Sequence, residues 1–236
     1  MKKLVKFIVV LSSMILVFIL LGVTGYYYPT DTLAMRYKEQ GIDISHHQIR
    51  INWKQVDNKK YKFVIMKATE GKDFLDTDFF YNWTNAQLNG LKVGAYHFFT
   101  MTSSGKDQAE YYISKVPNID NSIPPVIDIE ISSKYLRSEV NKELKDMIDI
   151  LENYYKKRVI LYVTYKTYNS FVKGEFSENP IWISDKKFYP KLPEDKKWSI
   201  WQYSSRGRIA GIEGFTDKNT LNEGTIDEFI EKNRIK

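Results

Sequence analysis

Asp128 and Glu130 stand two residues apart in Pro124-Pro125-Val126-Ile127-Asp128-Ile129-Glu130-Ile131, a run otherwise made of β-branched residues after its prolines. The prolines bar a helix at the start and the β-branched residues favour a strand, so the stretch predicts a strand entering a protein core. Carboxylates are costly to bury unpaired. Side chains at i and i+2 of a strand leave the same face, with Cα atoms roughly 6.6 Å apart at ~3.3 Å per residue. Two carboxyls therefore face one space. If that space is dry, repulsion and desolvation raise one pKa and leave the other group ionised, which sets a proton donor beside an anionic stabiliser. Such a pair suits cleavage of a glycosidic bond. The competing reading is a strand end whose acids pair with lysines, since structural ion pairs perturb the same groups.

Strands and helices alternate around this stretch. Residues 41–45 predict a first strand, with Asp43 on the face opposite Ile42 and Ile44. Residues 61–69 and 92–99 predict two more, with a helix over 78–89 between them and Gly90 as its stop. A helix is expected over 104–116. The clearest helix covers 138–155, where Val140, Leu144, Met147, Ile148, Leu151 and Tyr155 recur every three or four residues. Strands follow at 158–165, 180–184, 198–203 and near 211–216, and a last helix at 225–232. Alternation argues for a parallel sheet with right-handed crossovers, and about eight strands would let it close. The expected class is α/β: an irregular TIM-like β/α barrel. In such a barrel functional side chains gather at the C-terminal ends of strands. Asp43, His97, Asp128, Glu130, Tyr162, Trp182, Trp201, Gln202 and Asp217 all fall at or near such ends, and one mouth could hold them.

Composition narrows the chemistry. With no cysteine in 236 residues there is no disulfide framework, thiolate metal site or cysteine nucleophile. Adjacent His46 and His47 would point to opposite faces of a strand and His97 stands alone, with no H-E-x-x-H spacing, so zinc is disfavoured. No G-x-S-x-G elbow occurs. The 17 Tyr and 5 Trp suit a cleft that stacks on sugar rings. The formal charge is +6, but Lys2, Lys3 and Lys6 supply half of that excess, and no basic cluster interleaved with aromatics argues for nucleic acid. Those lysines precede an apolar or small-residue run over 7–23, near the lower limit for spanning a bilayer. Residues 1–25 thus predict a signal peptide or, as the favoured reading, a transmembrane signal anchor with the lysines inside. Residues 26–40 read as a linker with turn chemistry, and 41–236 as the folded unit. The expected location is the outer face of the cell membrane or the cell wall.

The ordered pieces resemble the family 25 glycoside hydrolases, lysozymes that act as N-acetylmuramidases. They are Gly41-Ile42-Asp43-Ile44-Ser45 with Gln48 and Trp53, Phe63-Val64-Ile65-Met66-Lys67-Ala68-Thr69-Glu70-Gly71, Gly94-Ala95-Tyr96-His97-Phe98, Asp128-Ile129-Glu130, Trp201-Gln202-Tyr203 and Asp217-Lys218-Asn219. The resemblance implies cleavage of the β-1,4 bond between N-acetylmuramic acid and N-acetylglucosamine in peptidoglycan glycan strands, without metal or organic cofactor, by an expected monomer. It implies Glu130 as general acid and then base. Asp128 would stabilise an intermediate formed by the substrate's own acetamido oxygen, with Asp43 and Asp217 as flanking acids. Tyr96, Tyr162, Trp182, Trp201 and Gln202 are the candidates for sugar contacts.

The chain departs from the family's pattern at Asn52, where Asp is common, and at Ile49. It departs again in Trp182-Ile183-Ser184-Asp185-Lys186, where the family's Trp-Ile-Ala-x-Tyr would place a tyrosine at Lys186. Two rival readings follow: a membrane-tethered glycan-binding protein that kept the barrel but turns over weakly, and a chitin-directed barrel enzyme.

Overall fold

The structure, a computed structural model, describes residues 2–24, 26, 29–193 and 196–235. Among these residues one sheet contains β1 (Gln40–Ile44), β2 (Tyr61–Glu70), β3 (Phe74–Leu75), β4 (Lys92–Phe98), β5 (Val126–Ile129), β6 (Ile160–Val163), β7 (Ile181–Ser184), β8 (Ile200–Gly207) and β9 (Thr216–Leu221). The helices are α1 (Lys2–Thr24), α2 (Pro29–Ala34), α3 (Phe79–Leu88), α4 (Gly105–Lys115), α5 (Arg137–Tyr155), the single turn α6 (Tyr165–Thr167) and α7 (Ile226–Lys232). Strand order β1-β9-β8-β7-β6-β5-β4-β2, with β1 pairing back onto β2, closes an irregular barrel; β3 folds back on the end of β2 outside it. Every closing pair is parallel except those of β9, which runs antiparallel to both β8 and β1.

Strand alternation sorts the core into two layers. Phe63, Ile65, Val126, Ile160, Tyr162, Trp182, Ile200 and Leu221 point inward, and Ile226, Phe229 and Ile230 of α7 join them at the end opposite the strand C-termini. Val64, Met66, Ile127, Ile129, Leu161, Val163, Ile181 and Ile183 point outward under the helices. The periodic face expected over 138–155 is the buried face of α5. Asp128 shares the inward face of Val126, two residues further towards the mouth.

Two expectations need correction. The last strand is Thr216–Leu221, and 211–216 is the loop before it. Its inward residues are Asp217, Asn219 and Leu221, so a largely polar inner face gave no apolar alternation to detect. Within the expected linker 26–40, residues 29–40 do not run free as a tether either, while residues 27 and 28 lie outside the described residues. Thr30 and Ala34 of α2 are buried, the Thr30 hydroxyl donates to the Tyr203 carbonyl, and Asp31 pairs with Lys218. Gln40 Nε2 donates to the Tyr37 carbonyl at 2.8 Å, and Tyr203 Oη donates to Gln40 Oε1 at 2.7 Å. A six-residue helix is too short to show a period, and tertiary burial holds it in place. α1 has no buried residue and is long and apolar enough to cross a membrane.

One glycine sets how closely the first two strands pack inside the barrel. A Cβ on Gly41 would lie 2.3 Å from the Phe63 ring, which is itself fully buried. Gly41→Ala is therefore expected to destabilise the fold by about 1–3 kcal/mol through overpacking. Urea unfolding measures this, and Phe63→Leu in the same chain should recover part of the loss.

Candidate active site

The strand C-termini open onto a cleft of about 260 Å³ lined by Asp43, Ser45, His47, Lys67, Tyr96, Phe98, Asp128, Glu130, Tyr162, Trp182, Lys186, Gln202 and Asp217. All four predicted acids are therefore together. Asp43 comes from β1 and Asp128 from β5, while Glu130 follows just past the end of β5. Asp217 arrives differently. Because β9 is antiparallel, the start of that strand lies at the mouth, and its register sets Asp217 directly opposite Asp43.

Asp43 is the hub of a buried polar network. Its Oδ2 accepts from Asn219 Nδ2 at 2.7 Å and from Gln202 Nε2 at 3.0 Å. The far ends of both amides are tied as well: Trp182 Nε1 donates to Asn219 Oδ1 at 2.9 Å, and Tyr162 Oη and Ser184 Oγ each donate to Gln202 Oε1 at 2.9 Å. Each amide thus has its orientation fixed by donors on one side and Asp43 on the other. Strands β1, β6, β7, β8 and β9 meet in this network.

The other acids are less well served. Asp128 is buried and its Oδ1 has no hydrogen-bond partner among the described residues. Burial pushes its carboxyl well above the usual carboxylate range, the charges of Glu130 and Asp43 add to the rise, and Lys67 opposes it. Burial also raises Asp43, against the two amide hydrogen bonds and Lys186. Half-buried Asp217 is pushed up to about 8 by burial and then by the charge of Asp43, with Lys186 opposing at 3.9 Å. Lys67 is the second cation of the cleft, held 2.6 Å from Glu70 and close to the rings of Phe74 and Phe98. The hydroxyls of Tyr96 and Tyr162 are raised by burial and by Asp128, so both stay protonated donors.

Two residues expected at the mouth lie elsewhere. Trp201 is fully buried on the outward face of β8, with Nε1 donating to the Asp185 carbonyl at 2.7 Å and its ring packed on Trp198 and Tyr203. Adjacent residues of a strand face opposite ways, so Gln202 in the cleft requires Trp201 outside it. His97 is likewise outward, between Thr69 Oγ1 at 2.8 Å and Gln108 Oε1 at 3.0 Å, and burial holds its imidazole down at about 4, hence neutral. Tyr162 and Trp182 do line the cleft, as its floor, with ring centroids 4.7 Å apart at 71°. Sequence reading did not assign Lys67, Phe98 or Asn219 to the site, and it weighed His47 only as a metal ligand. Lys67 was visible in principle, since it continues the inward series Phe63, Ile65 on β2, where a cation is as anomalous as the acids.

The family profile described as glycosyl hydrolases family 25 matches residues 42–212 of this chain. The chain belongs to glycoside hydrolase family 25. It is 34% identical over 213 residues to YegX of Escherichia coli K12, covering 86% of this chain and 77% of that protein. It is also 34% identical over 209 residues to Lysozyme M1 of Streptomyces globisporus, covering 82% and 70%. A family 25 glycosyl hydrolase structure from Bacillus anthracis superposes with a TM-score of 0.78 at 37% identity, covering 85% of this chain and 95% of that one. The barrel is thus that of a glycoside hydrolase.

Asp217 gives the cleft a measurable pH signature. Below its ordinary value of 3.8 the carboxyl is protonated whether the chain is folded or not, and burial exacts no charge penalty. Between 3.8 and about 8 the unfolded chain releases the proton while the folded site retains it, so unfolding gains ground as pH rises; above about 8 the folded site carries the full penalty. Asp217→Asn should therefore be progressively more stable than the parent chain as pH rises from 4 to 8, with little difference at pH 4. Unfolding curves across that range measure the gap, and a constant gap would place the burial cost elsewhere.

Proposed function

We propose that this family 25 enzyme is a peptidoglycan muramidase, cutting the β-1,4 bond between N-acetylmuramic acid and N-acetylglucosamine. The observation that carries the reading is the unequal setting of the β5 acids: Asp128 is buried with an unpartnered oxygen in the cleft, and Glu130 stands exposed at the rim. A rim carboxyl can meet the leaving oxygen of a bound glycan and later a water molecule, which suits Glu130 as general acid and then base. A buried carboxyl deeper in the same cleft suits Asp128 to a partner that arrives with the substrate.

An acetamido N–H is such a partner. Donating to Asp128 Oδ1, it would favour the carboxylate form, offset the burial that raises the group in the free enzyme, and turn the acetamido oxygen towards the anomeric carbon. Substrate assistance of this kind is a known alternative to a protein nucleophile. Asp43, held by Gln202 and Asn219, and Asp217 beside it would flank the reacting sugar, over a floor of Tyr162 and Trp182 with Tyr96 at the side. We further infer that α1 keeps the enzyme at the membrane, with Lys2, Lys3 and Lys6 on the cytoplasmic side and the barrel facing the wall.

Mass spectrometry of fragments released from purified peptidoglycan tests the bond assignment. New N-acetylmuramic acid reducing ends support it; N-acetylglucosamine ends would transfer the enzyme to another specificity, and binding without release would make the chain a glycan-binding protein. Glu130→Gln is expected to lower kcat by about 10²–10⁴-fold with the fold intact, because it removes the proton and little volume. Asp128→Asn should lower kcat by at least ~10²-fold if the carboxylate supports the intermediate, comparable to the loss of one preorganised electrostatic contact. An unchanged rate in either variant overturns that residue's role.

A further inference from the structure

The route by which the leader joins the barrel fixes which end of the enzyme meets the membrane. α2 docks against β8 near the mouth, where Thr30 donates to the Tyr203 carbonyl and Asp31 pairs with Lys218. From there the chain descends outside the barrel to Gln40, at the end away from the cleft, where β1 begins. The leader therefore departs from the mouth end. Only residues 25–28 separate the end of α1 at Thr24 from the start of α2 at Pro29. At ~3.5 Å per residue that leash reaches under roughly 20 Å, against about 50 Å had the whole stretch 26–40 been free. Its sequence, Gly25-Tyr26-Tyr27-Tyr28, is of the aromatic type found at membrane interfaces.

At the same end the β8–β9 hairpin extends past the cleft, closing with Gly207 opposite Thr216. It carries Arg206 and Arg208 around one aromatic ring, their guanidinium carbons 4.8 and 4.2 Å from the centre of Phe215. Both arginines reach the last carbonyls of α1: Arg206 Nη2 donates to Val23 O, and Arg208 Nε donates to Thr24 O at 3.2 Å. Arg208 Nη1 also donates to the Gly214 carbonyl at 3.1 Å, the acid of the turn, Glu213, is exposed, and no ion pair joins either arginine to a carboxylate among the described residues. With α1 spanning the bilayer, guanidinium groups beside its outer end would stand near the depth of lipid phosphates, to which the N–H groups not donating to these carbonyls can donate.

We infer that the β8–β9 hairpin is a membrane-docking surface: Arg206 and Arg208 take the phosphates of anionic lipid headgroups beside the spanning leader, so the cleft opens close to the bilayer. The accessible glycan is then the membrane-proximal layer of the wall. This rests on the reading of α1 as a retained membrane anchor, and not on which bond the enzyme cuts.

The absence of cysteine allows the test to be done in the full chain with single labels. Phe188→Cys marks the mouth side and Leu88→Cys the opposite end; both positions are well exposed, at 71% and 80%. Each labelled chain is reconstituted into vesicles containing a headgroup acceptor dye, made either of phosphatidylcholine alone or with phosphatidylglycerol. Docking requires stronger energy transfer from position 188 than from 88 in the phosphatidylglycerol vesicles, with the difference reduced at least twofold in Arg206→Glu/Arg208→Glu and at high salt. Equal transfer from the two positions, or a difference indifferent to lipid charge and to charge reversal, overturns it. So does a mature membrane-fraction protein whose intact mass lacks residues 1–25. If circular dichroism shows the double variant misfolded, the comparison of the two lipids in the parent chain decides. Because the readout is a distance, a failed muramidase assignment would leave it untouched.

Discussion

Carboxyl groups at the mouth of a closed barrel repel one another and resist burial, and much of this structure is arranged around that constraint. Asp43 and Asp217 face each other across an antiparallel pair, a position where like charges destabilise a sheet. The fold meets the problem in three ways. Two amides converge on Asp43, Lys186 and Lys67 lend positive charge from the rim, and the carboxyls of Asp43, Asp128 and Asp217 are shifted upward, the direction that favours their neutral forms. Only the first depends on tight packing. The network reaches across five strands, so barrel closure and orientation of the site are the same structural event.

β9 is the part that makes this possible. A seventh crossover to another parallel strand would have delivered its C-terminal end to the mouth and its inward residues from a different register. By entering antiparallel between β8 and β1, the strand brings Asp217 to the rim, Asn219 to the amide network and Leu221 to the barrel core along one inward face. One short strand therefore links solvent, polar site and apolar interior. The floor beneath it is equally economical: Tyr162 and Trp182 contribute apolar area to the interior while their Oη and Nε1 groups orient the two amides that hold Asp43.

Legibility from sequence followed the strength of local pattern. α5 was plain because six apolar residues recur at helical spacing, and β5 because two acids interrupt a β-branched run. β9 was displaced by several residues because its inward face is mostly polar, so alternation of apolar residues had nothing to register. Trp201 was drawn into the expected site although strand geometry forbids it from sharing a face with Gln202; the period-2 rule, applied residue by residue, would have kept Gln202 and sent Trp201 outward with Ile183 and Val163. Asn219 was missed for a different reason. Its significance lies in which distant strand stands beside it, and pairings such as β1 with β9, more than 170 positions apart, leave no local trace.

The burial of Asp128 also bears on when the site becomes charged. A cleft that kept every acid ionised while empty would bear the whole desolvation and repulsion cost in the folded chain. Raised pKa values on Asp43, Asp128 and Asp217 postpone part of that cost. A ligand that brings an N–H donor to Asp128 would ease that cost at the buried group, because a hydrogen bond to the charged form favours the anion. Spacing on β5 directs both acids to one cleft, and their difference in depth follows from where the strand ends, between Ile129 and Glu130: Asp128 is enclosed among buried groups and Glu130 is left to solvent.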